Sequence, residues 1–297
     1  MGKRVMRQLA SACMPGTLVS ATCFLPPDCE QRQLHMRAAS PPGVASAAGP
    51  EEPSTADHVE AAAEEASSAL SPLQAESWLI ELPVEGFRDA RVSVPLGATE
   101  PRPIVVALHG AGDRPEWACG GWRGVTDAYP FVLCPSGEPG GAPGGFVWGH
   151  DSAVEREVNA SVDAVRRRFG NHVAQGCTLL TGFSQGAIRM VPILARGGGF
   201  CAEAVLCEGA YDALAKSFAT AFAASGGRRI LLGCSQPYCA KIFGERETVL
   251  RTAGVDVRTV YSGGRTHNLN GEMVSTLRAA WPWLVRDDVR WASYLTQ

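Results

Sequence analysis

The sequence predicts a three-layer α/β/α sandwich with a mostly parallel central sheet. Six apolar runs bounded by turn residues alternate with helix-like segments, and "RVSVPL" alternates as an exposed strand would. Strands that are apolar on both faces are typical of a parallel sheet covered by helices. Alternation at this spacing specifies three layers. The apolar runs cover residues 103–110, 130–137, 177–186, 201–209, 228–236 and 256–264.

Helical periodicity fills most of the intervals between these runs. The predicted helices are "SAVEREVNASVDAVRRRFG", "AIRMVPILARGG", "YDALAKSFATAFAASGG", "YCAKIFGERETVLRTAG" and a closing helix in "GEMVSTLRAAWPWLVR". Trp117, Trp122, Phe146 and Trp148 fall between such segments, and we expect them in loops above the sheet. Trp117 and Trp148 are candidates for a substrate pocket there.

The chain divides into three parts by composition. Residues 77–297 have the alternating apolar and helix-like segments of a folded domain. Residues 38–76 are rich in Ala, Pro, Ser and Glu, a composition that predicts a disordered linker. Residues 1–37 resemble a weak signal peptide, with basic residues before a mildly apolar stretch. The cytoplasm is slightly favoured as the location, and secretion or periplasmic export is the alternative. No stretch is long and apolar enough to span a bilayer.

Charge and cysteine usage narrow the function classes. The net charge of −3, without long Lys or Arg runs, argues against nucleic acid as a partner. The ten cysteines form no CxxC pair, so we expect no metal site. Cys234 and Cys239 could close a small disulfide, and Cys201 and Cys207 could pair elsewhere. Burial of several cysteines as small apolar residues is the favoured interpretation.

The strongest chemical signal is "TGFSQGA", in which Ser184 lies between Gly182 and Gly186. A buried strand precedes it and a helical pattern follows. Gly-x-Ser-x-Gly in this setting predicts a nucleophile elbow, a sharp turn that exposes a strained serine. The alternative is a tight turn whose serine only caps the helix.

A second signal is "LHGAGD" at residues 108–113, directly after an earlier strand. Its glycines allow backbone N–H groups to point into a site. We expect the N–H groups of Ala111 and Gln185 to form an oxyanion hole, aided by the N-terminus of the helix that starts at Gln185. His109 is expected to brace this loop structurally.

His267 in "SGGRTHNL" follows the last predicted strand and is the candidate general base. It comes after Ser184 along the chain, the order in which enzymes with this elbow place serine and histidine. A histidine in a surface loop is the alternative, which the position and the glycine-rich approach disfavour.

Together these motifs resemble the α/β-hydrolase superfamily over residues 78–297. "LHGAGD", "CPSG", "VWG" and "GFSQGA" are similar to the carboxylesterase/phospholipase group that includes acyl-protein thioesterases. Polyhydroxyalkanoate-depolymerase-like and dienelactone-hydrolase-like esterases share much of the pattern. The resemblance implies hydrolysis of an ester or thioester through an acyl-serine intermediate, without metal or organic cofactor.

The acid that should support the histidine is out of place. These families carry an Asp in the loop after the strand that ends near Gly233, and this chain has Gln236 there. An amide can orient an imidazole but cannot stabilise its cation by charge. Glu208, at the end of the preceding strand, is the favoured replacement, and Asp212 is a weaker candidate.

The leading functional hypothesis is a serine esterase acting on a small or medium ester or thioester. The alternative from another class is a degenerate hydrolase fold used for binding, in which Ser184 is unreactive. A third hypothesis transfers the acyl group to an acceptor other than water, which no motif distinguishes from hydrolysis.

Overall fold

The computed structural model describes residues 69–264 and 266–297. Within these residues, eight strands form one sheet in the order β1-β2-β4-β3-β7-β8-β9-β10. Strand β2 is antiparallel to both its neighbours, and the remaining pairs are parallel. The strands are β1 (Leu79–Leu82), β2 (Ala90–Ser93), β3 (Ile104–Leu108), β4 (Phe131–Cys134), β7 (Thr178–Phe183), β8 (Phe200–Cys207), β9 (Arg229–Cys234) and β10 (Asp256–Tyr261). A separate hairpin joins β5 (Glu138–Pro139) to β6 (Phe146–Val147).

Helices cover both faces of the sheet, and each face has its own hydrophobic core. The helices are α1 (Pro115–Val125), α2 (Asp151–Phe169), α3 (Gln185–Arg196), α4 (Lys216–Ala224), α5 (Pro237–Thr252), α6 (Gly271–Val285) and α7 (Ala292–Leu295). The three-layer sandwich and its mostly parallel sheet are therefore confirmed. No helix among the described residues combines the length and apolarity needed to cross a membrane.

Helix α1 corrects the expectation that Trp117 and Trp122 lie in loops. Proline at the first helical position suits a helix start because its missing N–H is not needed there. Three glycines lower the helix propensity of the segment. Packing of α1 on the sheet and on α6 overrides that propensity, and Trp122 is fully buried in the resulting core.

The folded domain begins before the predicted boundary at residue 77. Leu73 is buried in the core, and its N–H donates to Ala98 O at 2.9 Å. Leu70 N–H donates to Thr99 O at the same distance. The end of the predicted linker therefore packs on the domain. The predicted signal segment, 1–37, and linker residues 38–68 lie outside the described residues.

Three disulfides among the described residues correct the favoured interpretation, which was that several cysteines are simply buried small apolar residues. Cys234–Cys239 is the small bridge proposed as the alternative. Cys177–Cys201 joins the amino ends of β7 and β8, and Cys119–Cys134 joins α1 to β4. Cys207 is a free, buried thiol whose pKa is raised by burial.

Candidate active site

Ser184 occupies the sharp turn between β7 and α3, with φ 52° and ψ −116°. A non-glycine residue rarely adopts positive φ, so the conformation is strained. The flanking glycines make the turn possible. A Cβ on Gly182 would lie 2.6 Å from Ala187 N, and one on Gly186 would lie 2.2 Å from Leu108 O. The turn between β7 and α3 therefore depends on glycine at both positions that flank the strained serine.

The loop after β3 is joined to the start of α3, because Gly186 N–H donates to His109 O at 3.1 Å. Gly112 N–H donates to Phe146 O at 2.7 Å, which anchors the loop to the hairpin. Within the described part of the chain, the N–H groups of Ala111 and Gln185 have no backbone or side-chain acceptor. Both N–H groups are therefore unpaired among the described residues.

His109 and Trp148 form a brace behind that loop. His109 is buried, and its Nε2 lies 2.9 Å from Ser136 O. Trp148 Nε1 donates to His109 O at 2.8 Å, and its main-chain N–H donates to Gln185 Oε1 at 2.9 Å. At 3% exposure, Trp148 does not line an open pocket as the sequence suggested. It fixes the Ala111 loop to the start of α3 instead.

His267 contacts Glu208, with 3.4 Å between Nδ1 and Oε2. An ionised carboxylate only accepts hydrogen bonds, so the proton of a neutral His267 ring belongs on Nδ1. Nε2 is then left with its lone pair. The His267 imidazole packs against the ring of Phe183, with 4.8 Å between the ring centroids. Phe183 directly precedes Ser184 in the chain, so this contact brings the imidazole close to the turn. Among the described residues, no hydrogen bond joins the Ser184 hydroxyl to His267.

The Glu208 side chain is completely buried, and two donors from Ser235 stabilise its charge. Both the backbone N–H and the hydroxyl of Ser235 donate to Oε1. Burial raises the pKa of the Glu208 carboxyl, but the hydrogen bonds from His267 and Ser235 outweigh burial, and the pKa lies below its usual range. Glu208 is therefore an anion in the neutral pH range.

The backbone around Glu208 is shaped to bring it next to Ser184. Ser184 N–H donates to Cys207 O at 2.8 Å, so the two segments are hydrogen-bonded neighbours. Glu208 has φ 53° and Ala210 has φ 66°. Such conformations cost on the order of 1–3 kcal/mol each and are concentrated at functional sites. A Cβ on Gly209 would lie 2.3 Å from Ser184 O, so glycine is required for this close approach.

The two other candidates for the acid position lie elsewhere. Gln236 is the residue before α5, and no hydrogen bond connects its side chain to the described residues. The Asp212 side chain is fully exposed and lies 3.9 Å from Arg246. Neither contacts His267, so the structure brings Glu208 alone of the three candidates to the imidazole.

A cavity of about 560 Å³ opens beside His267. This volume is in the range of small-molecule sites, roughly 300–1,000 Å³. Its wall is mainly apolar, and Trp117, which is 60% exposed, lines it. The other principal wall residues are Asp113, Phe183, Leu269 and Val274. The described residues contain no cluster of His, Cys, Asp and Glu arranged to hold a metal ion.

Sequence reasoning missed Ser235 and Phe183 as contacts of the Glu208–His267 pair. Phe183 precedes the elbow serine, but nothing in the sequence places its ring on the imidazole. Ser235 is in the loop where the resembled families carry their Asp, and that position was the available signal. The loop contacts the Glu208 carboxylate through two hydrogen-bond donors of Ser235.

No protein-family model matches this sequence. No curated protein matches it either. Solved structures do match. A ferulic acid esterase is 14% identical over 70% of this chain and 96% of its own, with a TM-score of 0.50. A Bacillus cereus ATCC 10987 protein described as uncharacterized is 14% identical, over 65% and 62% of the two chains, with a TM-score of 0.52. Est1E from Butyrivibrio proteoclasticus is 12% identical, over 71% and 100%, with a TM-score of 0.49.

At these identities the likeness concerns the fold. The sheet order, the helices on both faces and the neighbours together define the α/β-hydrolase fold. The resemblance drawn from "LHGAGD" and "GFSQGA" is confirmed at that level. The fold alone does not determine what the chain does, because one fold hosts many unrelated functions.

Proposed function

We propose that the protein is a serine hydrolase that cleaves a small or medium carboxylic ester or thioester through an acyl-serine intermediate. Ser184 is the nucleophile, His267 the general base and Glu208 the acid. The observation that carries the proposal is the contact of buried Glu208 with His267 Nδ1, next to a serine at positive φ. No metal or organic cofactor is needed for this chemistry.

The reaction follows from the positions of the protons. Ser184 Oγ attacks the substrate carbonyl while His267 Nε2 accepts its proton, and Glu208 stabilises the imidazolium through Nδ1–H. The N–H groups of Ala111 and Gln185 hold the oxyanion, and one such donor contributes about 3–4 kcal/mol in related chemistry. His267 returns the proton to the leaving alcohol or thiol, which departs. Water then attacks the acyl-serine with the same base, releasing acid and free serine.

Replacing Asp by Glu one strand earlier preserves this chemistry. The Glu side chain is one methylene longer, which helps it span the distance from β8 to the imidazole. The hydrogen bonds from His267 and from the two Ser235 donors outweigh its burial and keep it ionised, as the role of a counter-ion requires. The alternative of a degenerate binding protein was motivated by the missing Asp, and the Glu208 contact weakens that motive.

The three disulfides bear on where the enzyme works. Disulfides form and persist in oxidising compartments and are rare in the cytosol of mesophiles. The pairs at Cys119–Cys134, Cys177–Cys201 and Cys234–Cys239 therefore favour the exported alternative over the cytoplasm.

The test of the proposal is hydrolysis of p-nitrophenyl butyrate by the purified chain. We expect turnover in the wild type and a loss of about 10⁶-fold in kcat in Ser184→Ala, the size found for the nucleophile of a serine protease. Ser225→Ala is the matched control, because the Ser225 hydroxyl donates to Leu194 O and Phe222 O and contacts none of the proposed catalytic residues. A folded wild type that turns over no ester or thioester would favour the binding alternative.

A further inference from the structure

Helix α1 contains an unusual number of glycines for its length. Three of its 11 residues, Gly120, Gly121 and Gly124, are glycine. Glycine is the poorest helix former apart from proline, because it loses the most backbone freedom on folding. Each glycine inside the helix therefore needs a compensating reason in the packing or in the site.

Close packing explains two of the three. A Cβ on Gly121 would lie 2.9 Å from Leu269 O, and a Cβ on Gly124 would lie 3.0 Å from Val274 Cγ1. Both positions face α6 and the loop that leads into it. A side chain at either position would push these segments away from the helix.

Gly120 has no such explanation. A Cβ built on it meets no atom within 4 Å. The residue is exposed, and it lines the cavity of about 560 Å³ beside His267. Trp117 lies one helical turn earlier, so the two share one face of α1. Gly120 leaves open the space that any side chain would enter.

We infer that Gly120 sets the size of the substrate group that this cavity accepts, and that the group is apolar and of medium length. The inference rests on the proposed hydrolase function and adds the substrate class. The apolar chemistry follows from the wall around Gly120, where Trp117, Leu269 and Val274 lie. A helix face without side chains at this point lets a chain longer than acetyl enter between α1 and the His267 loop.

The test compares Gly120→Leu with the wild type on two ester series. One series varies the acyl group, p-nitrophenyl acetate against p-nitrophenyl octanoate, and the other varies the alcohol, methyl butyrate against octyl butyrate. Gly244→Leu is the matched control, because Gly244 is an exposed interior glycine of α5 with nothing within 4 Å of its Cβ. Gly120→Ala supplies a smaller obstruction.

We expect the ratio of kcat/KM for the long ester to that for the short ester to fall at least about tenfold in Gly120→Leu, in one of the two series. Gly120→Ala should shift the same ratio less, and Gly244→Leu should not shift it. The series that responds identifies the bound group as acyl or alcohol. Unchanged ratios in both series, with Ser184-dependent turnover intact, would overturn the inference alone. Absence of Ser184-dependent turnover would overturn the proposed function and the inference with it.

Discussion

Glu203 lies within strand β8 and Glu208 lies just past its carboxyl end, and both are buried, yet their surroundings differ. Glu203 accepts a hydrogen bond at 3.1 Å from Arg229, the first residue of β9, and Arg229 also pairs with Asp287. Glu208, just past the carboxyl end, contacts His267 and accepts from Ser235. One carboxylate has a permanent cation as its partner, and the other has a group that can take up and release a proton.

This difference separates structural from chemical use of the same side chain. An arginine stays charged at every accessible pH, so the Glu203–Arg229 pair holds strands and the C-terminal region together and cannot relay a proton. A histidine changes charge near neutrality, so a buried anion beside it can favour its protonated form during a reaction. The comparison predicts that the two ends of the sheet respond differently to matched changes.

Among changes to the two buried glutamates and the residues around them, Glu208→Gln should have the largest effect on kcat. The substitution keeps shape but removes the charge that stabilises the imidazolium, and we expect kcat for ester hydrolysis to fall about 10³–10⁴-fold. Glu203→Gln is the matched control: it removes the buried charge that accepts from Arg229, which keeps its pairing with Asp287, and should cost about 1.5–3 kcal/mol of unfolding free energy. Its kcat in the folded protein should stay near that of the wild type. Equal losses of kcat in Glu208→Gln and Glu203→Gln would contradict the assignment of a chemical role to Glu208 and a structural role to Glu203.

Two disulfides extend the comparison to the cross-links at each end. Cys177–Cys201, with a sequence separation of 24, closes a longer loop than Cys234–Cys239, with a separation of 5. Loop entropy predicts losses of about 3.5 and about 2 kcal/mol when each pair is replaced by serines. Only the smaller bridge holds the loop of Ser235, so only its removal should lower kcat. Denaturant unfolding of the two double variants measures the loss of stability, and ester kinetics measure kcat. A loss of kcat on removal of Cys177–Cys201 but not of Cys234–Cys239 would contradict this prediction.

Ser235→Ala should give the smallest effect, a fall of about tenfold in kcat at unchanged KM. It removes one donor to Glu208, and a hydrogen bond to a charged group contributes about 1.5–3 kcal/mol.

The pKa of Glu208 is lowered in the folded protein from its ordinary value of 4.5. The ionised carboxylate therefore stabilises the fold above pH 4.5, and this stabilisation is lost as the pH falls through the lower folded pKa.

Loss of the Ser235 donor raises the folded pKa, so the variant should lose less stability than the wild type on acidification below that ordinary value. Unfolding free energies from pH 7 to pH 3 test this, with Ser225→Ala as control. If the unfolding free energy of Ser235→Ala changes with pH in the same way as that of the wild type, Ser235 does not stabilise the charge of Glu208.

Much of this organisation could be predicted from the sequence. The apolar runs fixed the parallel sheet because strands buried on both faces need continuous apolar residues. The glycines around Ser184 and Glu208's position after a buried strand pointed to one sheet edge. Helix α1 was missed because Gly120, Gly121 and Gly124 lower its propensity, and only tertiary contacts with Leu269 and Val274 explain the last two.

Side-chain partners were the other part beyond reach. The cysteine pairings depend on which strands and helices lie side by side, and spacing alone does not determine them. The Ser235 donors depend on the register of β8 and β9, in which Cys207 is opposite Gly233. The expectation that Trp148 lines an open pocket failed for a related reason, because a tryptophan in a loop can be buried behind a site as readily as it can line one.

The central claim, that Glu208 has taken over the acid's role from the loop of Gln236, is tested most directly by the rate of labelling with a fluorophosphonate. The account predicts labelling of the wild type at Ser184, no labelling of Ser184→Ala, much slower labelling of Glu208→Gln and a near wild-type rate for Gln236→Ala. Normal labelling of Glu208→Gln together with loss in Gln236→Ala would contradict it, and would describe a dyad oriented by an amide.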